Sequence, residues 1–134
     1  MKKIIVLFLL LIFAVPVFAS QWFQIFEKQS IDMESINTYG KQNIIKFWVK
    51  AEPKDKTQKY LDKEYSYVLS YFALSCKDKK SRIESIIIYD KNLKILHSDN
   101  DVPNWENIIP DTYSDGYYKA FCLIPFKKNP LLKH

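Results

Sequence analysis

Between Glu64 and Asp90 the chain reads EYSYVLSYFALSCKDKKSRIESIIIYD, two apolar runs separated by the charged break Lys77-Asp78-Lys79-Lys80. β-branched and aromatic residues dominate both runs and neither holds Gly or Pro, so each is predicted to be a strand. A four-residue polar link suits a hairpin. In the first arm Val68, Phe72, Leu74 and Cys76 share one face, and Tyr67, Leu69, Tyr71 and Ala73 share the other. Both faces are apolar, which predicts a central strand covered on both sides. The rest of the chain must supply those covers.

Upstream, Gln21–Phe26 is an expected strand and Ser30–Asp32 a short return. The stretch from Asp32 to Ile36 breaks strand alternation and predicts one helical or 3₁₀ turn with Asp32 as its cap. Residues 37–42 are expected to form a loop, with Gly40 best suited to positive φ. In Ile44–Ala51, Ile45, Phe47 and Val49 alternate with Ile44, Lys46, Trp48 and Lys50, a strand with one apolar and one mixed face. Pro53 ends it, and the lysine-rich Glu52–Lys63 is expected as a loop with one helical turn near Thr57–Leu61. Past the hairpin, Asp90-Lys91-Asn92 is a turn in which Asn92 tolerates the left-handed region, and Leu93–His97 completes a meander. Trp105–Ile109 reads as an edge segment.

The period changes at Asp111. Tyr113, Tyr117, Ala120, Phe121 and Ile124 recur at helical spacing, Asp111 or Thr112 caps the start, and Pro125 bars continuation. Gly116 costs such a helix about 1 kcal/mol relative to Ala, so it needs tertiary support. A bond from Cys122 to Cys76 would provide it. The reading is α+β: one antiparallel, meander-rich sheet of roughly six strands with a C-terminal helix.

Compartment decides what the cysteines do. Met1–Ser20 has a Lys2-Lys3 n-region, an apolar run over Ile4–Val15 and a small-residue site at Val17-Phe18-Ala19, which predicts a signal peptide over residues 1–19. The expected domain then spans 20–125, followed by a basic tail, 126–134. The exported product is expected in the periplasm or medium, with cell-surface display a further alternative, no cysteine near the cut for lipid attachment and no later segment apolar enough to span a membrane. In that setting Cys76 and Cys122 have one intramolecular pairing, closing 46 residues for roughly 4 kcal/mol in the chain-entropy model. Free thiols are the alternative. Without Lys2 and Lys3, 18 basic residues face 15 acidic ones, and the resulting +3 is spread without blocks. Such a balance does not argue for nucleic acid.

The order of motifs is informative. Trp22 stands near the expected mature start, followed by Asp32-x-x-Ser35-Ile36, the IIKFWVK strand, a strand ending in Cys76 and an arginine-bearing strand ending Tyr89-Asp90. A Trp105-x-x-Ile108-x-Pro110-Asp111 segment then leads into the helix that holds Cys122. This sequence resembles the surface-adhesin protein E-like family of Gram-negative bacteria over nearly the whole expected mature chain. The resemblance implies an antiparallel sheet with a disulfide-fastened C-terminal helix, a non-catalytic protein-binding role toward an envelope or host protein, and a homodimer among its assemblies. A periplasmic structural or accessory role without adhesion is the alternative.

Catalytic and cofactor chemistry find little support. His97, Ser98 and Asp99 are consecutive on a strand and alternate in face, so they form no relay with one another. Two histidines are too few for a zinc site, two glycines exclude a Gly-rich phosphate loop, and Asp32 and Glu34 read as a cap and a solvated turn residue. No catalytic residue, metal ligand or cofactor is expected. The aromatic content, nine Tyr, nine Phe and three Trp, is mostly core in a chain this size. Tyr60, Tyr65, Tyr67, Tyr113, Tyr117 and Tyr118, with Lys59 and Lys119 beside them, are the candidates for a recognition surface on the sheet rim and its loops.

Overall fold

A computed structural model describes residues 20–40 and 43–124. The expected signal peptide and basic tail lie outside the described residues. The strands, in chain order, are β1 (Trp22–Phe26), β2 (Gln29–Asp32), β3 (Asn37–Tyr39), β4 (Ile44–Ala51), β5 (Lys59–Tyr60), β6 (Lys63–Glu64), β7 (Tyr67–Ser75), β8 (Lys80–Tyr89), β9 (Ile95–Asp99) and β10 (Glu106–Asn107). The helix, α1, is Tyr113–Cys122. All but β5 and β6 join one antiparallel sheet in the order β1-β2-β4-β7-β8-β10, with β3 sharing the β2 edge of β4 and β9 the outer edge of β8. The β7–β8–β9 meander forms as expected.

Alternation along β4 decides where the core sits. Ile45, Phe47 and Val49 are buried, and register sets Phe47 opposite Phe72 and Ile45 opposite Leu74. From the other side α1 brings Tyr117 and Phe121, each at most 2% exposed. The Tyr117 ring lies 5.2–5.5 Å from those of Phe26, Phe47 and Phe72, and the Phe121 ring 4.8 Å from Phe47. Such aromatic pairs add to plain area burial. Cys76 and Cys122 are bonded, with Cα atoms 5.3 Å apart, so the last helical residue is pinned to the end of β7. Thr112 caps α1, its Oγ1 accepting from Asp115 N at 3.3 Å. The 3₁₀ turn at Met33–Ser35 also forms, with Asp32 Oδ1 accepting from Glu34 N.

Several local expectations are corrected. Residues 37–39 are a strand because β4 offers them a free edge; Asn-Thr-Tyr has no alternation to announce it. Gly40 does not take positive φ, which falls on Asn43 (φ 50°) at the entry to β4. The expected helical turn near 57–61 is the β5–β6 hairpin, whose tip, Leu61-Asp62, has φ of 48° and 61°. Both values match a type I′ turn. In the β8–β9 turn Leu93, not Asn92, is left-handed, because Asp90 Oδ1 accepts from both Asn92 N and Lys94 N and folds the chain around itself. Finally, α1 covers only one face of β7. On the other face Ala73 is fully buried by neighbouring side chains alone.

Candidate binding face

The face of the sheet turned away from α1 is built by the second parity of each strand. β4 contributes Lys46, Trp48 and Lys50, register sets them beside Ala73, Tyr71 and Leu69 of β7, and Arg82, Ser85 and Ile87 follow on β8. The one α-helix among the described residues packs on the opposite side, and Lys46, Trp48, Leu69, Tyr71 and Arg82 stay partly exposed. The aromatic residues divide by chemistry. Phe26, Phe47, Phe72 and Phe121 belong to or pack against the core under α1, whereas all three tryptophans, Trp22, Trp48 and Trp105, are on the open face and only half-buried. Indole and phenol rings suit such a surface because they carry both an apolar body and a polar edge.

Cations are threaded between these rings. Lys50 Nζ is 5.1 Å from the Trp22 ring and 5.9 Å from that of Tyr67. Tyr67 in turn stacks on Tyr89 at 4.9 Å, and Trp48 packs on Tyr71 at 5.1 Å. The Arg82 guanidinium lies 4.3 Å from the Trp105 ring centre, and Lys46 Nζ is 5.4 Å from Tyr39. These distances are within the range of cation–π attraction.

Glu84 organises the middle. Tyr71 pairs with Ser85 and Phe72 with Ile83, so Glu84 is the extra residue of a β-bulge, which turns its carboxylate onto the open face. There it accepts from Lys46 Nζ at 2.7 Å and from Arg82 Nη2 at 2.6 Å, its side chain only 10% exposed. The small Ala73, between Lys46 and Arg82 in register, leaves the gap they reach across. Burial alone would raise the Glu84 carboxyl, but the bonds from Lys46 and Arg82 outweigh it and hold the pKa below the ordinary carboxylate range. Burial likewise pushes the Tyr71 phenol up.

The residues nominated from sequence fall in three places. Tyr67 is on the open face. Lys59 and Tyr60 are on the β5–β6 hairpin, the Tyr60 ring tilted against His97 at 5.3 Å, and Tyr65 borders a cleft of about 310 Å³ whose lining includes Glu52, Lys54 and Gln58. Tyr113, Tyr117, Tyr118 and Lys119 are on α1. Tyr118 is half-buried beneath Lys79, and Lys119 is paired with Asp115 at 2.7 Å. Tyr117 cannot be a contact residue. It is 2% exposed and central to the core, with its hydroxyl donating to Gln29 Oε1. Its helical spacing with Phe121 already pointed inward. The missed residues are Trp22, Trp48, Lys50, Arg82 and Trp105, for which the mixed second face of IIKFWVKA was the available signal. Among the described residues no group of three or more His, Cys, Asp or Glu side chains is placed to hold a metal ion.

No curated protein sequence matches the chain. Solved structures of protein E from Haemophilus influenzae share its fold. One crystal form is 16% identical at a TM-score of 0.59, covering 78% of this chain and 89% of that one. Protein E from a non-typeable strain gives 16% and 0.55 over 81% and 80%. The family model for surface-adhesin protein E matches residues 22–123, a span from the first open-face tryptophan to just past the disulfide-bonded helix. The chain belongs to the surface-adhesin protein E family.

Proposed function

We propose that this is an exported, non-catalytic binding module that recognises a protein partner, in the cell envelope or on a host, through the open face of its sheet. One observation carries the reading: all three tryptophans lie on the face that α1 leaves bare, interleaved with Lys46, Lys50 and Arg82. Trp, Tyr and Arg are the residues that dominate binding energy at protein interfaces. Family membership supports an adhesin-type role. Of the residues nominated from sequence, Tyr67 is the one this reading retains at the centre of the contact.

A photo-crosslinking amino acid placed at Trp22 or Tyr67 in producing cells, with host cells present or absent, tests it. Adducts from these positions, and none from Leu123, 60% exposed just past α1 on the other side of the sheet, are expected. Adducts confined to α1 positions, or none at all, would overturn the reading. Protease added to intact cells separates the two forms of the role: a displayed adhesin is digested, an envelope accessory protein is spared.

A further inference from the structure

Resting on that reading, we infer that the open face is built for an acidic protein segment whose carboxylates are interleaved with apolar side chains. The charges on the face argue for the sign. Lys46, Lys50 and Arg82 are there, with Lys80 at the same parity as Arg82, against two carboxylates, Asp32 and Glu84. Both carboxylates are engaged. Asp32 accepts from the 3₁₀ turn, and Glu84 is shared by Lys46 and Arg82. Lys50 makes no ion pair among the described residues, yet it is held between two rings. An ammonium so placed keeps N–H donors for an incoming carboxylate, and the flanking rings exclude water from the bond, which strengthens it.

The spacing argues for the class. Aromatic surface separates Lys50 from the Lys46–Arg82 pair: Trp48 and Tyr71 lie between them in register, Trp22 and Tyr67 flank Lys50, and Trp105 covers Arg82. A sulfated glycan or an anionic membrane carries uninterrupted charge and is matched by dense basic clusters. The sequence has no block of five or six like charges, Asp78 interrupts its densest basic stretch at Lys77–Arg82, and its basic excess is small. A peptide that alternates carboxylates with apolar side chains fits both the charges and the rings. Flat rings add contact area with little conformational entropy to lose.

The three tryptophans make the face its own reporter. A random Glu–Tyr copolymer, poly-Glu and heparin are each titrated into the full domain, with tryptophan excited selectively. The copolymer is expected to change the emission saturably and to bind more tightly than either of the others, with affinity falling as salt rises. Lys50→Gln should weaken it about fivefold to tenfold, and Lys50→Glu more, while Leu123→Glu, which adds a carboxylate on the α1 side of the sheet, leaves it unchanged. Circular dichroism of the Lys50 variants checks that the sheet is intact. Tighter binding of heparin, or copolymer binding indifferent to Lys50→Glu, overturns the proposal. If the copolymer leaves the emission unchanged while crosslinks still form from Trp22 and Tyr67, the acidic segment is wrong and the binding face stands. If neither occurs, both fall.

Discussion

Phe26 lies against the backbone of Gly116 so closely that a Cβ added there would be 2.3 Å from Phe26 Cζ. By propensity alone, Gly116 weakens α1 by about 1 kcal/mol relative to Ala. In the fold it is the notch through which β1 reaches the helix, and Tyr113 and Tyr117, each 5.5 Å away, pin the ring that fills it. Gly116→Ala is therefore expected to destabilise by about 1–3 kcal/mol, the cost of overpacking exceeding the helix gain. In a Phe26→Leu background the same change should cost less, or become favourable. Urea melts of the four proteins measure the coupling directly. Additive effects would show that the ring moves aside without cost.

The disulfide has a larger consequence than fastening a weak helix. Removing α1 would uncover Ile45, Phe47, Phe72 and Leu74 as well as its own Tyr117 and Phe121, so the sheet has no second core to fall back on. Cys122→Ser should lose roughly 4 kcal/mol from restored chain freedom. Helix and strand signals should then disappear together in one transition rather than in sequence. Coincident melting by circular dichroism and by amide exchange in β7 checks this. A sheet that outlasts the helix would mean the open-face side chains stabilise it independently.

Acid stability should depend on Glu84. Its carboxyl is held below the ordinary range in the fold, whereas in the unfolded chain a Glu titrates near about 4.3. Around that pH the unfolded chain binds more protons, so stability rises with pH there; it is fully present above the unfolded pKa and is lost as pH falls through the folded one. Asp115, also lowered by its bond from Lys119, adds to the same limb. Glu84→Gln should therefore cost about 1–2 kcal/mol near neutrality, because Lys46 and Arg82 lose their shared anion. It should also flatten the decline below pH 4 without abolishing it. Melting temperatures from pH 2.5 to 7 for the two proteins test both parts, and parallel acid limbs would remove Glu84 from the account.

How much of this was readable depends on whether a residue's role is local. The buried parity of β4, the Asp32 cap and the helix starting at Asp111 or Thr112 are each written within ten residues, and each is found; which of its residues face inward was not, since Tyr117, nominated for a recognition surface, is core while Tyr113 is exposed. β3 is not local. Its three exposed residues become a strand only because Lys46, Ile45 and Ile44 offer an edge. The open face is the least local feature, since Trp22, Trp48 and Trp105 converge from β1, β4 and the approach to β10. Only the Lys46-Trp48-Lys50 alternation hinted at it. Glu84 could not be singled out at all, because a bulge depends on how two strands mispair.

The β5–β6 tip makes the last prediction. Leu61 and Asp62 both have positive φ, and Leu61 is 76% exposed, so an apolar side chain is held in a left-handed conformation with little burial in return. That conformation costs a non-glycine residue about 1–2 kcal/mol. Asn-Gly is the pair this turn geometry favours, since Asn tolerates the left-handed region and Gly adopts it without strain. Leu61→Asn with Asp62→Gly should stabilise the hairpin. The expected observation is slower amide exchange at Lys59–Glu64, with the Tyr60 ring still against His97. Because the tip is remote from α1 and the disulfide, the global melting temperature should change little. Faster exchange in the double variant would mean that Leu61 makes a contact worth more than its strain, and that this turn is retained for what it touches.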